Sequence, residues 1–400
     1  MNGDNVNKGE FKEIPLKIYE PDWGSQLAKT ILELEKLRVK ELGGPVPPYI
    51  FFQLKDIFQM VESLGSARIE GNHTTLSEFV EKIIDQIPKD TKEESIREIF
   101  NIERAIKFIE DNISEKGQIT RDHVFNIHKI IVDGLTAPRK GEGSWFPGKL
   151  RPINVSIEGS SHVPPDEVEV PGYFEELVAF VNTDVNPQND LLVTALSHHR
   201  MAWIHPFDNG NGRLIRMFTY AMLIKQGFKV HNGRILNPTA IFCMDRKEYY
   251  NNLALADTGE KEKILQWCLY VLEGLRQEIE KIDRLLDLKY MIDIVLIPSL
   301  AHALERQLIT KREFDILSTV VRSEDMKIKS SDLGKVIGQE SPVQRSRILK
   351  RLKDKGMLRP LPGKSRVYTI GFVNNYLLRG IFHVLERNGF VSSSLNKKNS

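Results

Sequence analysis

Apolar side chains recur every three or four positions over most of this chain, which is the spacing of amphipathic helices. The second predicted helix has such residues on one face, namely Leu54, Ile57, Phe58, Val61 and Leu64. The same period predicts helices over 25–42, 76–86, 92–112, 120–132, 171–182, 190–204, 211–226, 245–256 and 261–288. We therefore expect an all-α core.

One stretch departs from this period. Residues 144–165 are rich in glycine, proline and serine, and apolar and polar residues alternate at 154–157. Alternation of this kind is typical of strands. The pattern predicts a short β-hairpin between two helices of the core.

The last hundred residues have a different organisation. A helix at 311–320 precedes the polar segment 330–338, and Ser341 and Pro342 are a typical start for a second helix that ends at Gly356. Two predicted strands, 357–359 and 366–370, flank a Pro-Gly-Lys turn. This order is that of a winged helix-turn-helix domain. We therefore expect an N-terminal helical region (1–62), a helical core (63–292), a winged-helix domain (293–380) and a tail (381–400).

Charge separates these parts further. The whole chain has 56 basic and 54 acidic residues, a net charge of +2, yet residues 322–372 alone carry +8. Two cysteines and no secretory-type N-terminus predict a cytoplasmic protein without disulfides. The sequence has no run of eighteen apolar residues, so we expect no membrane span.

The segment 205–213, His-Pro-Phe-Asp-Asn-Gly-Asn-Gly-Arg, lies between two predicted helices. Gly210 and Gly212 flank Asn211, so that successive backbone N–H groups can converge at a helix N-terminus, which favours anions. Arg213 and Arg216 follow on one face of the helix. Guanidinium groups bind phosphates through paired hydrogen bonds. Together these features predict a cradle for a polyphosphate.

Other side chains of the same loop supply chemistry to that cradle. His205 is in position to remove a proton from a hydroxyl that attacks a bound phosphate. Asp208 or Asn209 can offer an oxygen to Mg²⁺. A base, an anion cradle and a metal ligand together indicate phosphoryl or nucleotidyl transfer.

Residues 205–216 resemble the Fic family signature, His-Pro-Phe-x-(Asp/Glu)-Gly-Asn-Gly-Arg-x-x-Arg, and the resemblance extends over roughly 63–270. It implies a Fic-type catalytic core and a protein adenylyltransferase, which transfers AMP from ATP to a Ser, Thr or Tyr hydroxyl of a target protein. It further implies that His205 is the general base and that Phe207 anchors the loop. The implied nucleotide ligands are Gly210, Asn211 and Gly212 as the anion hole and Arg213 and Arg216 at the β- and γ-phosphates.

The metal position departs from that signature. The family's acidic ligand falls at residue 209, which is Asn209 here, and Asp208 lies one place earlier. An amide oxygen coordinates Mg²⁺ but brings no charge. The resemblance therefore implies a weakened Mg²⁺ site at Asn209 and Asp208.

Residues 66–71 match the inhibitory motif of the same family, (Ser/Thr)-x-x-x-Glu-(Gly/Asn). Ser66 and Glu70 are four apart and share a helical face. A carboxylate paired with Arg216 occupies the fork that a γ-phosphate oxygen would use, so ATP binds unproductively. In some family members the same Glu positions a water for removal of AMP. The sequence leaves an inhibitor and a hydrolytic role both open.

Two further segments resemble Fic features. Residues 148–159 resemble the flap hairpin, whose edge pairs with an extended target segment. Tyr250 matches a residue of the adenine pocket, whereas Asp257 replaces the family's Asn.

The basic block leaves a second function open. Arg345, Arg347, Lys350, Arg351, Lys353 and Lys355 lie on the second helix of the predicted pair. A recognition helix in a DNA groove needs such residues. The alternative is therefore a DNA-binding regulator that contacts DNA through 330–370 and whose Fic site senses nucleotides or has degenerated. Formation of a homodimer is also left open.

Overall fold

Helices account for most of the chain in the computed structural model, which describes residues 11–39, 46–183, 186, 189–228, 235–329, 331–332, 341–361 and 363–397. The mostly helical class predicted from the apolar period is confirmed. In the described part of the chain no helix combines the length and apolarity that crossing a membrane requires.

The first helices begin at or close to the residues that the sequence indicates. Helix α1 is Gln26–Val39, α2 is Pro48–Ile69 and α3 is Leu76–Ile84. Gly71, with φ of +104°, follows the end of α2. Thr75 and Glu78 form the expected capping box at the start of α3. The predicted end of α1 at residues 43–44 lies outside the described residues.

The contacts of the chain divide it into two compact units. The first consists of the described parts of 1–41, 62–72 and 90–279, and thus contains α1 and the end of α2. Its other helices are α4 (Glu94–Asn112), α5 (Arg121–Ile131), α6 (Val170–Asn182), α7 (Asp190–Ile204), α8 (Asn211–Lys225), α9 (Thr239–Met244), α10 (Arg246–Ala256) and α11 (Lys261–Asp283).

Helices α7 and α8 form the centre of the first unit. They pack on each other, α6 packs on α7, and α4 and α5 pack on α8. Nearly every residue of both central helices is buried. The six-residue loop between them, 205–210, therefore joins two buried helices.

The second unit consists of the described parts of 42–61, 73–89 and 280–400. Besides α3 it has α12 (Ile297–Glu305), α13 (Lys311–Arg322), α14 (Pro342–Asp354) and α15 (Leu377–Arg387). Its antiparallel sheet has the order β1-β3-β2, with β1 at Lys327–Lys329, β2 at Leu358–Leu361 and β3 at Lys364–Ile370.

This unit has the two strands expected after α14, and Ser341 caps that helix with Pro342 at its first turn. Strand β1, which pairs Ile328 with Tyr368, was not expected from the sequence. Most of the polar segment 330–338 of the predicted helix-turn-helix lies outside the described residues. The winged-helix assignment therefore stays a prediction.

The two units do not follow the predicted domain bounds, which stay a prediction. The second unit begins at residue 280 on the C-terminal side, and it also takes in 42–61 and 73–89.

The stretch 144–165 has a turn at Gly159, where Ser160 N–H donates to Ile157 O, but its described residues form no strand ladder. Side chains hold this stretch instead, through contacts with the neighbouring loop.

Candidate active site

The loop between α7 and α8 has a fixed backbone. His205 ends α7 in the left-handed region, with φ of +47°, and Gly210 begins α8 with φ of +75°. Asn211 bridges the loop, because Phe207 N–H donates to its Oδ1 at 3.0 Å and its Nδ2 donates to Phe207 O at 2.8 Å. The side chain of Asn211 is thus used to shape the loop.

His128, which the sequence analysis missed, packs against this loop. The His128 ring stacks on Phe207 with ring centroids 3.8 Å apart. Gly148 N–H donates to Nδ1 at 3.0 Å, so Nε2, 3.0 Å from Asn209 O, carries the proton. Burial lowers the pKa of His128 to about 4, and the ring is neutral at pH 7. The buried Phe207 anchors the loop through this contact.

Arg151, also missed, joins the stretch 144–165 to the loop. Its backbone N–H donates to Pro206 O at 2.9 Å, and its Nε donates to His205 O at 2.9 Å. Its two terminal nitrogens donate to the carbonyls of Ile153 and Pro165. A buried guanidinium can satisfy several carbonyls at once. The side chain of Arg151 therefore binds backbone carbonyls that would bind a neighbouring strand in a hairpin.

The first arginine of the cradle is fully buried between two carboxylates. Arg213 Nη1 donates to Glu98 Oε1 at 2.8 Å, and Nη2 donates to Glu142 Oε2 at 3.0 Å and to its carbonyl at 2.8 Å. Asn72 donates to the other oxygen of Glu98 at 2.7 Å. Glu98 and Glu142 lie far from Arg213 in sequence, and no motif indicated them.

The second arginine contacts both residues of the inhibitory motif. Arg216 Nε donates to the Ser66 hydroxyl at 2.8 Å, and Nη2 donates to the Ser66 carbonyl at 2.9 Å. Nη2 also lies 2.8 Å from Glu70 Oε1. Arg216 is fully buried, and its Nη1 has no hydrogen-bond partner among the described residues. The geometry thus joins residues 66–70 to the cradle as the motif predicts.

The carboxylate of Glu70 lies against the start of α8. A Cβ added to Gly212 would be 2.1 Å from Glu70 Oε1, so only glycine leaves room for this contact. Burial would raise the pKa of Glu70, but the charges of Arg216, Arg213 and Arg246 outweigh it and lower that pKa. Glu70 is therefore ionised at pH 7.

The imidazole ring of His205 is neutral at pH 7, the state in which it can accept a proton. Burial is the main cause that lowers its pKa, to about 4, and the charge of Arg151 adds to the effect. The charge of Glu70 acts in the opposite direction, which places the carboxylate within electrostatic range of the ring. A neutral imidazole at pH 7 can accept a proton.

An aromatic pair borders the same site. Tyr250 is 40% exposed, and its ring lies 5.1 Å from that of the buried Tyr249. The guanidinium of Arg246, a cation that the sequence analysis missed, lies 5.5 Å from the Tyr250 ring centre. Asp257 instead contacts His199 Nε2 at 2.9 Å. An exposed tyrosine beside an arginine offers a stacking surface for a base.

The two predicted metal ligands are engaged by other donors. Asp208 accepts from the Ser144 hydroxyl and, at 2.8 Å, from Trp145 N–H. Asn209 Oδ1 accepts from Gly210 N–H at 2.8 Å, and its Nδ2 donates to a carbonyl. In the described ranges no three His, Cys, Asp or Glu side chains converge on a metal position. The side chains of Asp208 and Asn209 are thus held by hydrogen bonds to neighbouring residues.

Comparison with known proteins identifies the region around this site. The model of the Fic/DOC family matches residues 118–223, a range that includes α5 to α7, the 205–210 loop and most of α8. The chain contains a Fic domain. The matched segment contains His205, Arg213 and Arg216, whereas residues 66–70 lie before it.

Curated relatives of this chain are adenylyltransferases by name. A protein adenylyltransferase Fic of Drosophila grimshawi is 27% identical over 227 residues, which are 54% of this chain and 44% of the relative. That of Nematostella vectensis is 29% identical over 203 residues, 49% of this chain and 42% of the relative. The chain therefore spans less than half the length of these relatives.

Solved structures bear on the fold alone. A Fic family protein from Desulfovibrio desulfuricans G20 has a TM-score of 0.53 at 18% identity, and the match covers 88% of this chain and 98% of that chain. A Fic domain containing signaling protein from Bacteroides thetaiotaomicron has a TM-score of 0.50 at 17% identity over 66% of this chain and 97% of that chain. The helical architecture is thus that of a Fic protein.

Proposed function

We propose that this Fic protein is an autoinhibited adenylyltransferase that transfers AMP from ATP to a Ser, Thr or Tyr hydroxyl of a target protein. The observation that carries the proposal is the 2.8 Å contact between Glu70 and Arg216 at the start of α8. The names of the curated relatives support the reaction class. The proposed regulation by Glu70 and the proposed role of each residue are inferred from the contacts of Glu70, Arg216 and His205.

The proposed step is a displacement at the α-phosphorus of ATP. The target hydroxyl oxygen forms a bond to that phosphorus, the bond to the β-phosphate oxygen breaks, and pyrophosphate leaves. His205, whose ring is neutral at pH 7, accepts the hydroxyl proton. The N–H groups at the start of α8 and the guanidinium of Arg216 stabilise the negative charge of the phosphates.

Glu70 inhibits this step by occupying Arg216. An ionised carboxylate and a phosphate oxygen are both anionic acceptors, and they compete for the same guanidinium donors. Glu70 also lies against Gly212, where a phosphate would approach the backbone. ATP therefore binds without its full set of phosphate contacts until Glu70 moves away.

Labelled ATP tests this proposal through three variants. We expect weak self-modification by the wild type with α-labelled ATP, a clear increase with Glu70→Gly, and no label with Glu70→Gly/His205→Ala. Equal labelling of the wild type and Glu70→Gly would show that Glu70 does not inhibit. Removal of AMP from the labelled product by the wild type, but not by Glu70→Gly, would indicate that the reverse reaction predominates.

DNA binding is the second candidate. It is favoured by the cationic surface of α14, where Arg347, Lys350 and Lys353 are exposed. Arg351 and Lys355 of the same segment instead pair with Glu313, which reduces the free charge. Phosphate contacts make binding weaken with salt. A gel shift that appears at low salt, and that Arg347→Ala/Lys350→Ala weakens, is expected if this candidate holds; no shift at any protein concentration would exclude it.

A further inference from the structure

Glu62 precedes the inhibitory residues on the same helix. Residues four apart on an α-helix lie on one face, so Glu62 and Ser66 share a face of α2, and Glu70 follows directly after the last residue of that helix. Glu62 is 1% exposed. Its oxygens accept the backbone N–H of Thr239, at 3.1 and 3.0 Å, and also the Thr239 hydroxyl. Thr239 is the first residue of α9, so this contact joins α2 to α9.

A second contact holds the same two helices close together. A Cβ added to Gly65 would lie 2.8 Å from Cys243 Sγ and 3.7 Å from Thr239 Cγ2. Because Cys243 is also on α9, the two contacts restrict both the rotation of α2 and its movement along its axis. Glu70 follows Glu62 by two helical turns, about 12 Å along the axis, and its contact with Arg216 is only 2.8 Å long.

We propose that Glu62 is a positioning residue, which holds the inhibitory end of α2 against Arg216 through its hydrogen bonds to Thr239. This inference rests on the proposed function, since it concerns the regulation of the same site. Helix α9 leads directly into α10, which carries Arg246 and Tyr250 of the aromatic border. A displacement of α9 would therefore weaken the contact between Glu70 and Arg216 and would also move Arg246 and Tyr250.

The protonation of Glu62 decides which substitutions are informative. Burial raises its pKa to about 8, so the carboxyl is largely protonated at pH 7. Glu62→Gln keeps one acceptor oxygen and has a similar shape, which makes it the conservative variant. Glu62→Leu removes both oxygens and leaves the Thr239 N–H without its acceptor. Thr239→Val removes only one hydroxyl and is the mildest way to weaken the contact.

The test measures AMP transfer from labelled ATP by Thr239→Val, Glu62→Leu and Glu62→Gln. One lost hydrogen bond corresponds to an increase of about 2- to 10-fold for Thr239→Val. We expect a larger increase for Glu62→Leu and a rate within about twofold of the wild type for Glu62→Gln. In the Glu70→Gly background, Thr239→Val should add nothing, because the inhibitor is already absent.

Thr30→Val is the matched control. Thr30 is fully buried, and its hydroxyl donates to Glu273 at 2.9 Å in another part of the same unit. Each threonine variant removes a buried hydroxyl that donates to a glutamate side chain, so a general loss of stability would raise transfer in both. Equal rates for Thr30→Val and Thr239→Val, or a wild-type rate in Thr239→Val while Glu70→Gly is active, would overturn the proposal.

Hydrogen exchange separates failure of this inference from failure of the proposed function. If Glu70→Gly transfers no AMP, the proposed function fails, but the contact is still testable by the exchange rates of amides 66–72. Faster exchange there in Thr239→Val, with α8 unchanged, would support the positioning role. Unchanged exchange at 66–72 would overturn it.

Discussion

Replacement of Glu70 by glutamine tests the competition at Arg216 with the least change of shape. The variant keeps the size of the side chain and removes its charge. If Glu70 competes with a terminal phosphate, Glu70→Gln gives ATP one contact that it lacks in the wild type. AMP has no phosphate that reaches Arg216 in the proposed pose, so its affinity should not change.

The size of the effect follows from the geometry. Two unit charges at the observed N···O separation attract each other by about 6 kcal/mol at an effective dielectric constant near 20. The cost of removing both groups from water offsets most of this attraction, and the Glu70 side chain is still a quarter exposed. A charge-assisted hydrogen bond contributes about 1.5–3 kcal/mol, so we expect ATP to bind Glu70→Gln about 10- to 150-fold more tightly.

Isothermal titration calorimetry with ATP and AMP measures both affinities directly. Glu175→Gln is the control, because it removes the same charge from an exposed pair with Arg121. We expect wild-type affinities for that control. An equal gain for ATP and AMP in Glu70→Gln, or no gain for either, would refute competition for a terminal phosphate.

Two further predictions concern the support of the catalytic loop. The pKa of His128 is lowered in the folded state, so its contribution to stability is present above the unfolded pKa of about 6.5 and is lost as the pH falls towards 4. Urea unfolding should find that the wild type loses about 2 kcal/mol from this residue near pH 5 and that His128→Gln has a weaker pH dependence; equal pH dependence would contradict this. Arg151→Met should raise the rate of proteolysis within 151–165 by at least about tenfold, because the bonds to the carbonyls are lost. Arg121→Met, at an exposed ion pair, should leave that rate unchanged.

The sequence was most informative where a local rule sets the structure. The helical period and the capping residues predict most helices, and the row of Ser66 and Glu70 predicts a shared face of α2. A local pattern does not reveal which distant residue a side chain meets. The pairing of Arg213 with Glu98 and Glu142 depends on tertiary packing, and so does the bond between Glu62 and Thr239.

The stretch 144–165 shows why alternation alone was insufficient. Alternating residues predict strands because successive side chains of a strand point to opposite faces, and the backbone groups of a strand need a partner. Here the buried Arg151 satisfies the carbonyls of Ile153 and Pro165 instead, and no ladder forms in the described residues. Likewise, the sequence suggests oxygen ligands at Asp208 and Asn209, but the fold directs both side chains to neighbouring N–H and O–H groups.

Mass spectrometry of a cell lysate incubated with ATP and the Glu70→Gly variant tests the central claim most directly. The measurement reports the transferred group and the acceptor residue together. We expect AMP on Ser, Thr or Tyr hydroxyls with Glu70→Gly, much less with the wild type, and none with Glu70→Gly/His205→Ala. Transfer that is as strong in the wild type as in Glu70→Gly, or that persists without His205, would contradict the account.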